Sequence, residues 1–375
     1  MEQNIKSPVR VLYFIDRMLH GGIQTFVVEN IRHMDHDKIK IDFLLLDDGN
    51  KYSLEDTIAE YGKLYKLKDI WLRTPLDYLT YKKALKNFFK THNDYEIVHL
   101  HSSSKNWLVL YYAKKYGINI RIAHSHNIGF QTKSRLQLVL AKLFIPLLNF
   151  YATDFFACSK DAGKWLFGNK NVKIIHNAVD IKKLKFDVAK RKKTQKELGI
   201  EGKFVVGHLG RFTHQKNHKF LFDIFKSIYD RNENACLLLV GEGELKEDMA
   251  EYAKKLNIYD KVIFAGYHRD TENYLSAMDI FVFPSKFEGL GLVLIEAQAN
   301  GLPCFTSDKV VPEEAKVSNN LCFISLDDPP EVWADKIMNS DLERKDVTEQ
   351  IISAGYRIDD TAMLLQEYYI NRLRS

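Results

Sequence analysis

Two glutamates, Glu288 and Glu296, stand with seven residues between them, and Gly289 and Gly291 lie inside that interval. They belong to the stretch DIFVFPSKFEGLGLVLIEAQANGLP, Asp279 to Pro303. A short apolar run, Ile280 to Phe283, stops at Pro284; a polar loop follows, and the glycines open a helix carrying Leu292, Val293, Leu294 and Ile295. Gly301 and Pro303 are its stop signals. A strand, a glycine-containing loop and a helix N-terminus make an anion site, because unpaired N–H groups and the positive dipole end face whatever binds there. Carboxylates before and inside that helix add acceptors for hydroxyl groups. Phosphate beside a polyol is the chemistry of a nucleotide sugar.

Other residues could serve the same chemistry. The apolar run Phe204–Leu209 leads into GRFTHQKN, with Arg211 and Lys216 five residues apart. A guanidinium fork and a mobile ammonium at the carboxyl end of a parallel strand suit a diphosphate; solvated surface cations are the plain alternative. Gly241-Glu242-Gly243 fails as a dinucleotide fingerprint because the sixth position is Lys246. Gly266 and Tyr267, after another strand, could line a nucleobase pocket or form a simple turn. Gly21 and Gly22 follow the first strand and open a helix, where backbone can approach an anion closely. His99 and His101 close one strand, and His124 and His126 another, so at least one of the four is expected to touch substrate. Four histidines raise a metal site, but no carboxylate or cysteine lies at ligand spacing. Asp35-His36-Asp37 matches D-x-D yet sits between a helix and a following strand, the wrong place for a metal–diphosphate motif.

The whole chain constrains the setting. Its 375 residues exceed one comfortable core. The composition, 46% hydrophobic and 27% charged, is that of a globular protein. A net charge of +5 is too small to imply nucleic acid and suits an anionic substrate or membrane face. The four cysteines are scattered without a C-x-x-C, which favours free thiols in a reducing compartment. The N-terminal apolar run is broken by Asp16 and Arg17, unlike a signal peptide, and Leu136–Phe156 contains Lys142, Pro146 and Asp154. A cytoplasmic protein is expected.

Strand-like runs at Val9–Ile15, Ile39–Leu46, Lys63–Leu67, Ile97–Leu100, Ile120–Ala123 and Phe155–Cys158 alternate with helical patterns. The alternation pauses over the charged stretch Lys182–Lys196, read as the interdomain connection. It resumes at Phe204–Leu209, Leu237–Val240, Val262–Phe264, Ile280–Phe283 and Cys304–Thr306. This predicts an α/β fold of two doubly wound Rossmann-like domains facing a central cleft. The expected boundaries are 1–180 and 181–355, with a final helix in 356–375 packing back on the first domain.

In order along the chain, HGGIQTF, AHSHN, HNAVD, GRFTHQKN, LLLVGEGEL and FPSKFEGLGLVLIEAQANGLP resemble the retaining GT-B glycosyltransferases of family 4 (group 1). The last segment is that family's E-x7-E element. Transferases of bacterial capsular and exopolysaccharide assembly are the nearest in character. The resemblance implies transfer of a sugar from a UDP sugar to a glycan or lipid-linked glycan. It implies that Arg211 and Lys216 neutralise the diphosphate, that Glu296 holds the ribose hydroxyls, and that Glu288 with the backbone of Gly289, Leu290, Gly291 and Leu292 holds the sugar. His126, or otherwise His124, would reach the sugar, and Gly22 the diphosphate. No metal or other cofactor is expected. Gln24 stands where many relatives carry glutamate. Leu136–Phe150, with Lys133, Arg135 and Lys142, resembles an interfacial segment able to dock on the cytoplasmic leaflet, with an ordinary packed helix shortened by Pro146 as the alternative. An epimerase or hydrolase would keep the fold but need no acceptor; a non-catalytic carbohydrate-binding scaffold would not turn over donor.

Overall fold

The computed structural model describes residues 7–18, 21–68, 70, 72, 74–129 and 134–374. Lys133 of the interfacial segment lies outside them. The chain divides into two compact units, Met1–Ala178 with Ile358–Ser375, and Val179–Arg357.

The first unit holds strands β1 (Val9–Ile15), β2 (Ile39–Asp47), β3 (Leu64–Lys68), β4 (Ile97–His101), β5 (Ile120–Ser125), β6 (Asp154–Ala157) and β7 (Lys173–Ile174). They form one parallel sheet in the order β3-β2-β1-β4-β5-β6-β7. Both faces are covered, so the central strands read as nearly continuous apolar runs, VRVLYFI in β1. The C-terminal helix Ile358–Arg372 belongs to this unit. Its Ala362, Leu365 and Tyr369 share a core with Val11, Tyr13 and Phe43.

The second unit holds β8 (Phe204–Leu209), β9 (Ala235–Val240), β10 (Val262–Gly266), β11 (Ile280–Phe283), β12 (Cys304–Ser307) and β13 (Leu321–Ile324). Its parallel order is β10-β9-β8-β11-β12-β13. Strand order reverses between β1 and β4 in one sheet and between β8 and β11 in the other. Those are the positions where open α/β sheets leave a crevice beyond their carboxyl ends.

Three local readings of the sequence need correction. The charged stretch Lys182–Lys196 is not a connection: most of it is helix, Ile181–Leu184 and Val188–Leu198, inside the second unit. Asp187 caps the longer helix at Ala189 N and Lys190 N (2.7 and 3.0 Å), and Gly199 ends it in the left-handed conformation. Polar anchors replace the missing apolar stripe: Arg191 pairs with Asp279 at 2.7 Å, and Gln195 donates to the Ala277 carbonyl at 2.9 Å. Second, Pro146 does not shorten its helix, which runs from Arg135 to Tyr151 with Ser134 as N-cap. Third, β13 is an edge strand of four residues absent from the sequence reading; only its ends are buried, so its pattern is weak. Among the described residues no helix is long and apolar enough to cross a membrane.

Candidate functional site

In the second unit, the loops leaving β8 and β11 are stitched together at the switch point. Lys286 N donates to Gln215 O at 2.8 Å, Gln215 Nε2 to Phe287 O at 2.8 Å, and Asn217 Nδ2 to Pro284 O at 3.1 Å. Asn217 adopts the left-handed conformation (φ 56°) and starts helix His218–Tyr229. The stitching turns Lys216 inward. Its Nζ lies 2.7 Å from Glu288 Oε1, with side chains only 18% and 7% exposed, and 4.5 Å from the Phe283 ring centre. A cation and a carboxylate are thus fixed at the carboxyl edge of the sheet.

Helix Leu292–Ala299 begins directly after this pair. Its N-cap is Gly291 at φ 77°, a conformation that side-chain-bearing residues rarely adopt, and its first turn holds no acid. The unpaired N–H groups of that turn therefore meet no competing side-chain charge of their own helix. A Cβ on Gly289 would meet nothing within 4 Å, leaving the backbone open to approach. Leu290 and Leu292 are half-buried, as is Glu296 one turn into the helix.

The wall of the site depends on close backbone packing. A Cβ on Gly241 (φ 146°) would fall 2.1 Å from Gly210 O, so the loops after β8 and β9 touch directly. Gly241 N donates to Gly266 O at 2.8 Å, carrying the contact on to β10, beyond which Tyr267 is exposed. Arg211 does not join Lys216: its side chain is 73% exposed and 3.9 Å from Glu244. The expected two-cation clamp is one half-buried cation and one solvated one. Two histidines that the sequence reading passed over underlie the loop. Burial pushes His208 down to about 4 and His218 down to about 2, so both are neutral. His208 Nδ1 lies 2.9 Å from Val282 O, and His218 stacks on Phe212 at 4.2 Å.

In the first unit, Gly21 is extended and caps helix Gly22–Arg32; Gly22 has open space where a Cβ would be. Gln24 donates from Nε2 to Arg17 O at 2.6 Å, so it braces the preceding loop. At the switch point of this sheet Asp16 accepts from Ser102 Oγ, from Asn106 Nδ2 at 2.6 Å and pairs with Lys105 at 2.9 Å. The sequence reading used Asp16 only as a break in an apolar run. The signal was its place at the end of β1.

The four histidines form one cluster. His99 and His101 alternate along β4, and His124 and His126 along and just beyond β5, which puts all four on one sheet face. Burial drives His99, His101 and His124 well below the ordinary imidazole value, reinforced by repulsion among neighbours, and burial alone takes His126 to about 3. All four are neutral near pH 7. His99, His101 and His124 each present a ring nitrogen within 4.8 Å of the others, a grouping that could hold a metal ion.

Two doubly wound parallel sheets, one with a cation–carboxylate pair held before a helix N-terminus at its carboxyl edge, are the architecture of the GT-B class. The comparisons agree. Residues 190–356 match the family model described as glycosyl transferases group 1, and residues 20–183 that of Glycosyltransferase Family 4. The chain is 30% identical over 378 residues to EpsF of Bacillus subtilis (strain 168), named as a glycosyltransferase, with 97% of each chain covered. It is 26% identical over 334 residues to UDP-Gal:alpha-D-GlcNAc-diphosphoundecaprenol alpha-1,3-galactosyltransferase of Escherichia coli, covering 85% of this chain and 82% of that one. Anabaena HepE, solved with UDP and glucose, shares the fold at TM-score 0.72 and 16% identity, over 98% of this chain and 100% of that chain. The chain belongs to the group 1 glycosyltransferases.

Proposed function

We propose that this chain moves a sugar from a UDP sugar to a glycan or lipid-linked glycan acceptor in bacterial capsular or exopolysaccharide assembly. The configuration of the sugar carbon is retained, and no metal takes part. The observation that carries the reading is the buried Lys216–Glu288 pair, fixed by stitched loops ahead of the Gly291-capped helix. The likeness to the Escherichia coli UDP-galactose enzyme, which acts on a diphosphoundecaprenol-linked sugar, supports the donor base and the acceptor class.

Breaking the sugar–phosphate bond leaves positive charge on the ring and a further negative charge on UDP. Lys216 and the helix N-terminus stabilise that negative charge without reorganising, which is where such sites gain most of their rate, and the exposed Arg211 turns in from solvent to join them. Glu288 with Gly289, Leu290, Gly291 and Leu292 orients the sugar. Glu296 accepts from the ribose hydroxyls, and Gly266 and Tyr267 border the base. The family resemblance assigns Gly21 and Gly22 to the diphosphate and His126 to the sugar. The acceptor hydroxyl attacks the face the phosphate leaves, forming the new C–O bond as the old one breaks, and passes its proton to the departing phosphate oxygen. No carboxylate nucleophile is required.

A screen of nucleotide sugars for acceptor-dependent release of UDP, run with and without EDTA, tests the reading. Turnover of a UDP sugar that survives chelation and falls at least a hundredfold in Glu296→Ala is expected. Full activity of that variant refutes the site; loss of activity on chelation refutes metal independence.

We further propose that helix Arg135–Tyr151 rests on the anionic cytoplasmic leaflet. Its Val139, Leu143 and Phe150 are exposed beside Lys142. Flotation with anionic vesicles at low salt is the check, and recovery of all protein in the lipid-free fraction counts against it.

A further inference from the structure

Lys216 and Glu288 are bound to each other, and the proposed reaction asks both to serve one donor. Lys216 Nζ lies 2.7 Å from Glu288 Oε1. The loops on either side hold the pair in place: Asn217 Nδ2 donates to Pro284 O at 3.1 Å, and Glu288 N donates to Val310 O at 3.2 Å. The Phe283 ring, its centre 4.5 Å from Nζ, backs the ammonium. Beside the carboxylate, a Cβ on the exposed Gly289 would meet nothing within 4 Å, so the approach from that side is open.

An ammonium has three N–H groups and can donate to two anions at once. Two oxygens that accept from one tetrahedral ammonium at about 2.8 Å stand about 4.6 Å from each other. A phosphate oxygen taken up by Lys216 is therefore set beside the Glu288 carboxylate, and the two anions repel each other. The Glu288 side chain is only 7% exposed, so water and salt screen that repulsion little.

Resting on the reading that Lys216 meets the diphosphate and Glu288 the sugar, we propose that Glu288 also discriminates against the product: its charge weakens binding of UDP relative to the sugar-bearing donor and so speeds nucleotide release. In the donor, sugar hydroxyls donate to the carboxylate and offset the repulsion. As the bond to phosphate breaks, the ring becomes positive and attracts the carboxylate. After transfer neither compensation remains. The terminal phosphate of UDP, with a second pKa of about 6, then carries one more negative charge near pH 7 than it did as a sugar ester. A group that only oriented Lys216 would act with the opposite sign, because its loss would free the ammonium and weaken UDP binding.

Calorimetry of the full chain with UDP and with UMP, in the parent, Glu288→Gln and Lys216→Met, requires neither the donor sugar nor the acceptor to be known. Glutamine keeps the length and the acceptor oxygen toward Lys216 and removes the charge. UMP lacks the terminal phosphate and controls for changes elsewhere in the site. The expected result is a UDP Kd about tenfold lower in Glu288→Gln, with the UMP Kd within about threefold of the parent. The inhibition constant of UDP against the donor found by the nucleotide-sugar screen should fall with it, even as kcat falls. A UDP Kd that is unchanged or higher in Glu288→Gln overturns the proposal, and so does an equal tightening of UMP. If Glu288→Gln does not fold, Glu288→Met, uncharged and of similar length, is held to the same expectation. Lys216→Met should raise the UDP Kd. An unchanged value there, or a parent that does not bind UDP, would instead strike the underlying placement of the diphosphate on Lys216, so the two failures are read from different variants.

Discussion

Replacing Lys216 should damage the second unit as well as the reaction. Its ammonium sits 2.7 Å from Glu288 Oε1, and the partner side chain is 7% exposed. With charge centres about 4 Å apart and an effective dielectric constant of about 20, the attraction is about 4 kcal/mol. Desolvation takes much of this back, and the exposed part of Lys216 screens it further, leaving a net coupling of about 1–3 kcal/mol. Lys216→Met strands the buried carboxylate, so this variant should cost more stability than the double variant Lys216→Met/Glu288→Gln. A double-mutant cycle by urea unfolding of the donor-free protein measures the coupling. A loss of 2 kcal/mol in a unit of this size corresponds to roughly 4–8 °C in Tm. The same cycle on kcat/KM should show single-variant losses of a hundredfold or more that do not multiply, because both residues are assigned to one bound donor. Stability effects that add within about 0.5 kcal/mol would mean the pair is not coupled, and the argument that it preorganises the site would fail.

The buried histidines predict the acid side of the stability curve. His126 is held at about 3, His208 at about 4 and His218 at about 2, with His99, His101 and His124 also well below the ordinary value. The unfolded chain takes up protons below about pH 6.5 while the native state does not, so stability falls with pH from there toward those low values. The loss is on the order of 1 kcal/mol per histidine per pH unit. Calorimetry should find Tm level from pH 8 to 7 and falling steeply below 6.5; a level Tm down to pH 5 contradicts the neutral cluster. Gly241→Ala would drive a methyl group 2.1 Å from Gly210 O, so a Tm drop of several degrees or loss of folded protein is expected. Gly289→Ala, in open space, should leave Tm alone and raise the donor KM, and an unchanged KM would remove that backbone from the donor site.

The elements legible in the sequence were those whose apolar groups cluster along the chain. Parallel strands buried on both faces give continuous runs, so Val9–Ile15, Phe204–Leu209 and Ile280–Phe283 have the bounds read from sequence. The glycine break before Leu292 likewise marked a helix start because no other residue sits easily at φ 77°. Helix Val188–Leu198 stayed hidden because Arg191 and Gln195 anchor it through hydrogen bonds rather than an apolar stripe. Lys216 was visible as a cation, but its inward turn depends on Gln215 and Asn217 meeting carbonyls about 70 residues away. The histidine pairs were visible as i, i+2 repeats; their pairing needed the β4–β5 register, and Tyr369 reaches His99 from 270 residues away.

The charge states of these groups match the signs of charge that the proposed reaction creates. The diphosphate becomes more negative as the bond breaks, and the groups assigned to it are a permanent ammonium, a guanidinium and a helix N-terminus, none of which has to gain a proton to act. The sugar ring becomes positive, and the imidazole assigned to it is neutral. A protonated imidazole at a separation of about 5 Å from such a carbon would repel it by about 3 kcal/mol at an effective dielectric constant of about 20, more than a hundredfold in rate. An exposed histidine would be partly protonated at pH 6–7 and would incur part of that penalty. Burial of His126 among three other imidazoles, beside Phe26, keeps it neutral and removes that penalty, at the cost of stability in acid and of buried nitrogens without partners.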